Sequence, residues 1–212
     1  MKDRTSIILI ALSLVVVPSV MASTSVERIR NRKVLVTEDT LAAGQSESLA
    51  NHHPDIIVYL AGNTAEIANA QGVVRKEAVK RGNTVFEPAG TKSIKNAGTA
   101  ELRFVRVQFL TAGNDETWGM SGLPPTYSIL VENRYTRTYN ISIRAHSYGP
   151  RHTQHSRVVI VLSGATLQEI LPDGKRQPST LRTGEIVWHA ASTHVGHNIG
   201  DTNLWVIIVE PK

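Results

Sequence analysis

The sequence predicts an all-β protein in which two similar barrels follow an N-terminal export signal. Three observations support this: an apolar N-terminus, a gapless internal repeat, and short apolar runs rich in β-branched residues. We predict a signal peptide over residues 1–22, a first barrel over 23–110, a linker over 111–126 and a second barrel over 127–212.

The N-terminus has the pattern of a secretory signal. Lys2 and Arg4 form a short basic start, residues 7–17 are almost wholly apolar, and residues 20–22 offer small side chains for cleavage. The apolar stretch is shorter than the ~20 residues that span a bilayer. The chain has no cysteine, so it has neither disulfides nor a lipid-carrying cysteine. We therefore expect a periplasmic or secreted protein without membrane contact beyond the signal peptide.

The charge pattern argues against a nucleic-acid partner. The formal net charge is +5, but the basic residues are scattered instead of being interleaved with aromatic ones. We expect a solvated basic surface.

The repeat aligns residues 31–110 with residues 133–212. A constant offset across strands and turns indicates duplication of one β-rich unit. Several matched residues are glycines, which turns with positive φ require. Matched pairs, each 102 positions apart, are His53 and His155, Gly62 and Gly164, Gly72 and Gly174, Gly82 and Gly184, and Asn96 and Asn198.

Within each copy, the apolar runs predict strands. Residues 56–60, 158–162 and 204–209 are continuous apolar runs, which are typical of strands covered on both faces. In residues 105–109 the apolar side chains alternate with Arg106 and Gln108, which predicts one face in water. A short helix is expected at most within residues 69–80. Strands this closely spaced favour a sandwich or barrel in each copy.

Both copies contain residues that resemble the two sequence signatures of the cupin superfamily. The second signature is matched by residues 184–188, His194 and Asn198 in the second copy, whereas Lys92 replaces the histidine in the first copy. The first signature is degenerate. Arg157 stands in place of its glutamate after residues 152–154 (His-Thr-Gln), and Asp55 stands there after residues 51–53 (Asn-His-His).

The resemblance implies a bicupin, that is, two tandem cupin-like barrels of the double-stranded β-helix or jelly-roll type. It also implies candidate ligands for one divalent Fe, Mn or Zn ion in the second barrel: His152, His155 and His194. Six of the eight histidines lie in this copy. On a regular strand, however, residues three apart point to opposite faces, so His152 and His155 converge only across a bulge or turn. His152 and Gln154 share a face without one.

Arg157 supports a different chemistry for the same pocket. A cation where a cupin places its anionic ligand repels a metal ion, but it suits a carboxylate or phosphate. Candidate ligand-binding residues of the second barrel are Arg157, Gln154, Trp188 and Asn198. The first-barrel pocket is predicted to contain His52, His53, Asp55 and Lys92, with an ion pair between Lys92 and Asp55 as the structural interpretation.

Several functions remain open because a fold does not select a reaction. The first is an exported bicupin that binds a small polar or anionic ligand in its second barrel, with no catalytic residue assigned. The alternative is a metal-dependent dioxygenase, decarboxylase or isomerase in which Arg157 orients a carboxylate substrate. A third is subunit association, with a homodimer formed through sheet edges.

Overall fold

The computed structural model describes residues 23–114 and 127–212. The predicted signal peptide and residues 115–126 of the predicted linker lie outside these ranges. Every regular element of the described residues is a β-strand. The described part of the chain contains no helix with the length and apolar character needed to cross a membrane.

The two copies form corresponding sets of strands because their sequences place turns at the same spacing. In the first copy the strands are β1 (Thr24–Arg30), β2 (Val34–Leu41), β3 (Ser46–Asn51), β4 (Asp55–Tyr59), β5 (Asn63–Asn69), β6 (Val74–Val79), β7 (Thr84–Glu87), β8 (Gly90–Asn96) and β9 (Leu102–Phe109). In the second copy they are β10 (Tyr127–Glu132), β11 (Thr136–Ile143), β12 (His152–Gln154), β13 (Arg157–Ser163), β14 (Ala165–Ile170), β15 (Arg176–Leu181), β16 (Ile186–His189), β17 (Ser192–Asn198) and β18 (Leu204–Pro211).

Each copy builds a barrel from two antiparallel sheets. In the first copy a five-stranded sheet, β1-β2-β9-β4-β7, faces a four-stranded sheet, β3-β8-β5-β6. The second copy repeats this order as β10-β11-β18-β13-β16 and β12-β17-β14-β15. Apolar side chains from both sheets form a core inside each barrel. The predicted all-β fold of two tandem barrels is confirmed.

Two local expectations are wrong. Residues 69–80 form the hairpin of β5 and β6 instead of a helix; the Asn69 side chain accepts from the Gln71 and Val73 amides, and Gly72 supplies the positive φ of the turn. Arg106 of β9 does not face water. It is 6% exposed and points into the first barrel, where it is ion-paired.

The two barrels pack against each other through the outer faces of their five-stranded sheets. We call this group of apolar side chains the interface cluster: Val34, Val36, Ile56, Val58, Val105, Val107, Phe109, Val158, Ile160, Leu162, Ile207 and Val209. In addition, β1 of the first barrel contacts β16 of the second, and β10 of the second contacts β7 of the first. The inner face of each barrel is thereby left for a site of its own.

Candidate ligand-binding cavity of the second barrel

The second barrel contains a partly open cavity of about 60 Å³ between its two sheets. Its polar lining consists of Tyr127, His152, Gln154, Arg157, Glu169, His189 and His194. Its apolar lining consists of Ile141, Ile143, Val159, Leu167, Leu181, Leu204, Val206 and Ile208. A concave space between two sheets, with convergent polar groups set in an apolar wall, is a usual form of a small-molecule site.

Strand register separates the polar groups from much of the apolar wall. On β13, Arg157 lies opposite His189 of β16. At the other end of the same five-stranded sheet, Ile143 of β11 lies opposite Leu204 of β18. His189 is half-buried, whereas Ile143 and Leu204 are almost fully buried. The cavity therefore has a polar end and a deeper apolar end.

Arg157 is the cation of the polar end, and it is only 3% exposed. Its Nη1 donates to the carbonyl oxygens of His155 (3.2 Å) and Ala190 (3.0 Å), and its Nη2 donates to Ser192 Oγ (3.3 Å). Its buried Nε has no hydrogen-bond acceptor among the described residues. Burial lowers the pKa of Arg157, but an arginine remains protonated at neutral pH.

Two histidines meet beside this arginine. His152 of β12 lies directly opposite His194 of β17, and their ring centroids are 4.5 Å apart in an edge-on arrangement. His152 Nδ1 lies 2.8 Å from the carbonyl oxygen of Pro150. Because a carbonyl only accepts, Nδ1 of His152 carries a hydrogen, and the neutral ring therefore has its lone pair on Nε2.

The electrostatics of the cavity keep His194 neutral. Burial, followed by electrostatic interaction with His152, Arg157 and His189, lowers the pKa of His194 to about 4. Burial and then Arg157 also lower the pKa of His189. Ser192 Oγ accepts from Arg157 and lies 3.2 Å from His194 Nδ1. We assign the serine hydroxyl as donor to that nitrogen, which leaves the His194 hydrogen on Nε2.

Gln154 is fixed by a buried hydrogen-bond chain below the histidines. Its Nε2 donates to Tyr139 Oη (3.1 Å), and the Tyr139 hydroxyl donates to Glu210 Oε1 (2.9 Å). The backbone N–H of His155 donates to the same Glu210 oxygen (2.9 Å). Burial and the Glu210 charge raise the pKa of Tyr139, so its hydroxyl remains a donor.

The structure brings together four residues of the predicted second-barrel set: His152, Gln154, Arg157 and His194. His152 and Gln154 share a face of β12, as strand parity predicts.

The other three predicted residues of this barrel do not line the cavity, which corrects the predicted set. His155 is exposed, because it follows Gln154 on the opposite side of the chain. Trp188 packs against the interface cluster, since it alternates with His189 on β16. Asn198 is fully buried, donates to the carbonyl oxygens of Ile143 and Thr202, and accepts from the Gly200 amide, so its role is structural.

In the first barrel, the corresponding space holds an ion-pair network. Lys92 Nζ lies 3.0 Å from Asp55 Oδ1, and Arg106 Nε and Nη2 each lie 3.3 Å from Asp55 Oδ2. The expected ion pair between Lys92 and Asp55 is therefore confirmed. His52 is exposed and His53 is half-buried, and neither takes part in these ion pairs.

Because the offset between the copies is constant, the two barrel interiors can be compared position by position. The network positions Asp55, Lys92 and Arg106 correspond to Arg157, His194 and Ile208 in the second barrel. Asp39, whose carboxylate accepts from Ser25 and Thr37 in the first barrel, corresponds to Ile141. Where the first barrel has a charge network, the second barrel therefore has one arginine, one histidine and apolar side chains.

The cavity does not fit the metal site that the resemblance implies. Within residues 23–114 and 127–212, no group of three or more His, Cys, Asp or Glu side chains is placed to hold a metal ion. His152 and His194 are close, but the polar lining that they share with His189 and Glu169 also contains an amide, Gln154, and a cation, Arg157. A buried guanidinium beside the two imidazoles opposes a divalent cation.

Sequence reasoning missed several cavity residues, namely Tyr127, Glu169 and His189, as well as the Tyr139–Glu210 pair beneath them. His189 had a usable signal, because antiparallel pairing of the predicted strands sets it opposite Arg157. Glu169 and Tyr127 had none, since nothing in the repeat marks them as inward-facing.

Comparison with known proteins identifies the fold. No protein-family model matches the chain, and no curated protein matches it in sequence. AerE from Microcystis aeruginosa superposes with a TM-score of 0.65 at 12% identity, covering 85% of this chain and 88% of that one. A cupin 2 conserved barrel domain protein from Leptotrichia buccalis has a TM-score of 0.59 at 15% identity, covering 93% and 92%. Oxalate decarboxylase from Bacillus subtilis, a protein with Mn(II) centres, has a TM-score of 0.56 at 13% identity, covering 84% and 69%.

These similarities and the sheet order define a protein with the cupin fold. More particularly, it has the two-barrel arrangement of a bicupin, like the oxalate decarboxylase structures that it resembles. Identities of this size establish the fold, and the site must be read from this chain's own residues.

Proposed function

We propose that this bicupin binds a small polar or anionic molecule in its second barrel, with Arg157 as the principal ligand-binding residue. The observation that carries the proposal is a buried guanidinium in the wall of a cavity, whose Nε hydrogen finds no acceptor within residues 23–114 and 127–212. A buried polar group without a partner costs about 1–3 kcal/mol. A ligand oxygen that accepts this hydrogen removes that cost, which favours binding.

The hydrogen-bonding capacity that remains on Arg157 suits two oxygens. Nη1 donates to two carbonyl oxygens, whereas Nη2 has two hydrogens and, in the part of the chain that the structure describes, donates to Ser192 alone. Nε and Nη2 lie on one edge of the guanidinium, and that edge matches the two oxygens of a carboxylate. The Nε2 hydrogen assigned to His194 is a further donor in the same cavity.

Binding is tested by thermal unfolding and calorimetric titration of the chain with acetate, inorganic phosphate and glycerol. At a ligand concentration of about 100 Kd, stabilisation of about 2.7 kcal/mol is expected. Arg157→Gln should abolish the effect. Arg182→Gln removes an exposed arginine of the same barrel and should leave it unchanged. The proposal fails if none of the three probes stabilises the wild type, or if stabilisation survives Arg157→Gln.

A metal-dependent reaction remains the competing proposal, and elemental analysis of untagged protein separates the two. The competing proposal is motivated by the structurally similar oxalate decarboxylase, which has Mn(II) centres. We expect no stoichiometric Mn, Fe or Zn here. Near-stoichiometric metal that is lost in His194→Ala would refute our assignment in favour of a metalloenzyme. Export also remains a prediction, to be tested by N-terminal sequencing of the mature chain, which we expect to begin near Ser23.

A further inference from the structure

We infer that the ligand of the second barrel is a short aliphatic monocarboxylate, with its carboxylate at Arg157 and its alkyl chain at the apolar end of the cavity. This inference rests on the proposed function and specifies its ligand class. Three features support it: the volume of the cavity, its charges, and the separation of its polar and apolar walls.

The volume limits the size of the ligand. The cavity is small, about 60 Å³, and is partly open to solvent. It therefore favours a compact ligand whose buried part has only a few non-hydrogen atoms. Acetate, propionate and butyrate are of this size, whereas most of a nucleotide would remain outside the cavity.

The charges favour one negative charge over two. Arg157 is the one arginine or lysine that lines the cavity in the described part of the chain. Glu169 lines the same cavity, and the buried carboxylate of Glu210 interacts electrostatically with Arg157. One carboxylate of the ligand pairs with the guanidinium, but a second would meet protein carboxylates and lose its hydration without a cation.

The apolar end favours an alkyl chain. Val206 is 2% exposed and Leu204 is 3% exposed, and both line the cavity together with Ile143. A ligand hydroxyl or second carboxylate placed there would be desolvated against apolar side chains. A methylene group buried there raises affinity about fourfold.

The test is calorimetric titration of the chain at one pH and ionic strength with five compounds. Three are acetate, propionate and butyrate, which lengthen the chain one methylene at a time. Oxalate and butyramide have the same number of non-hydrogen atoms as butyrate, but carry two charges and none. We expect affinity to rise about fourfold per methylene. We expect butyrate to bind at least about tenfold more tightly than oxalate or butyramide.

A variant pair locates the alkyl chain. Val206→Thr keeps the volume but adds a hydroxyl at the apolar end, so it should remove most of the gain from acetate to butyrate and leave acetate unchanged. Val195→Thr is the matched control, because Val195 lies on the cavity strand β17 but does not line the cavity. It should leave all affinities unchanged.

The outcomes distinguish the two proposals. If oxalate or butyramide binds as tightly as butyrate, or if chain length has no effect, the monocarboxylate inference is overturned while Arg157-dependent binding stands. If Val206→Thr leaves the chain-length gain intact, the placement of the alkyl chain is overturned. If none of the five compounds binds the wild type and the phosphate and glycerol titrations are also silent, the proposed function fails and the inference fails with it.

Discussion

Replacing Asp55 by asparagine should destabilise the first barrel strongly. Asp55 is fully buried and bonds two cations, Lys92 at 3.0 Å and Arg106 at 3.3 Å through two nitrogens. The asparagine keeps the volume but removes the buried carboxylate that both cations share, and among its ion pairs within the described residues Lys92 then keeps only the longer contact to Glu87, at 3.9 Å. Breaking a buried ion pair in this way costs about 3–5 kcal/mol. For a chain of this length that corresponds to a fall in Tm of about 6–20 °C.

Thermal and urea unfolding followed by circular dichroism measure this loss. Glu66→Gln is the matched control, because Glu66 pairs with lysines at 3.4 and 3.7 Å on the surface and should cost at most about 1 kcal/mol. The triple variant Asp55→Leu, Lys92→Met, Arg106→Ile should recover most of the stability, since it removes all three charges together. A loss below about 1 kcal/mol for Asp55→Asn would refute the ion-pair account.

Two further predictions concern pH and a close contact between the barrels. Burial and neighbouring positive charges hold the pKa of His194 at about 4, below its ordinary value of 6.5. The unfolded chain therefore binds a proton at His194 more readily than the folded chain does. The free energy of unfolding is unaffected by this group above pH 6.5 and decreases as the pH falls from 6.5 towards 4. Urea unfolding measured at several pH values should show that His194→Gln removes about 2 kcal/mol of this acid destabilisation. If the free energy of unfolding of the variant depends on pH as it does in the wild type, the assignment to His194 is wrong. Gly82 has a φ of +81°, and an added Cβ would lie 2.5 Å from Trp205 Cζ2. Gly82→Ala should cost about 2–4 kcal/mol in thermal unfolding, against about 1 kcal/mol for Gly44→Ala, which has a similar φ and open space; equal losses would contradict the contact.

The fold was largely predictable because the two copies of the repeat show the same sequence pattern of strands and turns. Five strands of the first copy, β2, β6, β7, β8 and β9, have partners of equal length that start 102 residues later. Turn glycines at matched positions, such as Gly82 and Gly184, have positive φ in both copies. Local chemistry therefore determines the strand boundaries.

The site was predictable only where strand parity decides which way a side chain points. Parity set His152 and Gln154 on one face, and it raised the objection to His155 that the structure bears out. The inward direction of Arg106 could not be found in this way. Alternation identifies two faces of a strand, but it does not distinguish a wet surface from a barrel interior that contains a buried counter-charge.

The reciprocal contacts between the barrels determine which surfaces remain available for contact between whole chains. Because β1 contacts β16 while its counterpart β10 contacts β7, the two halves meet as the subunits of a two-fold symmetric dimer do. Two separate single barrels could meet in the same way, with equivalent faces in contact. In this chain the outer faces of the two five-stranded sheets cover each other, so those faces are not available for contact with a second copy of the chain.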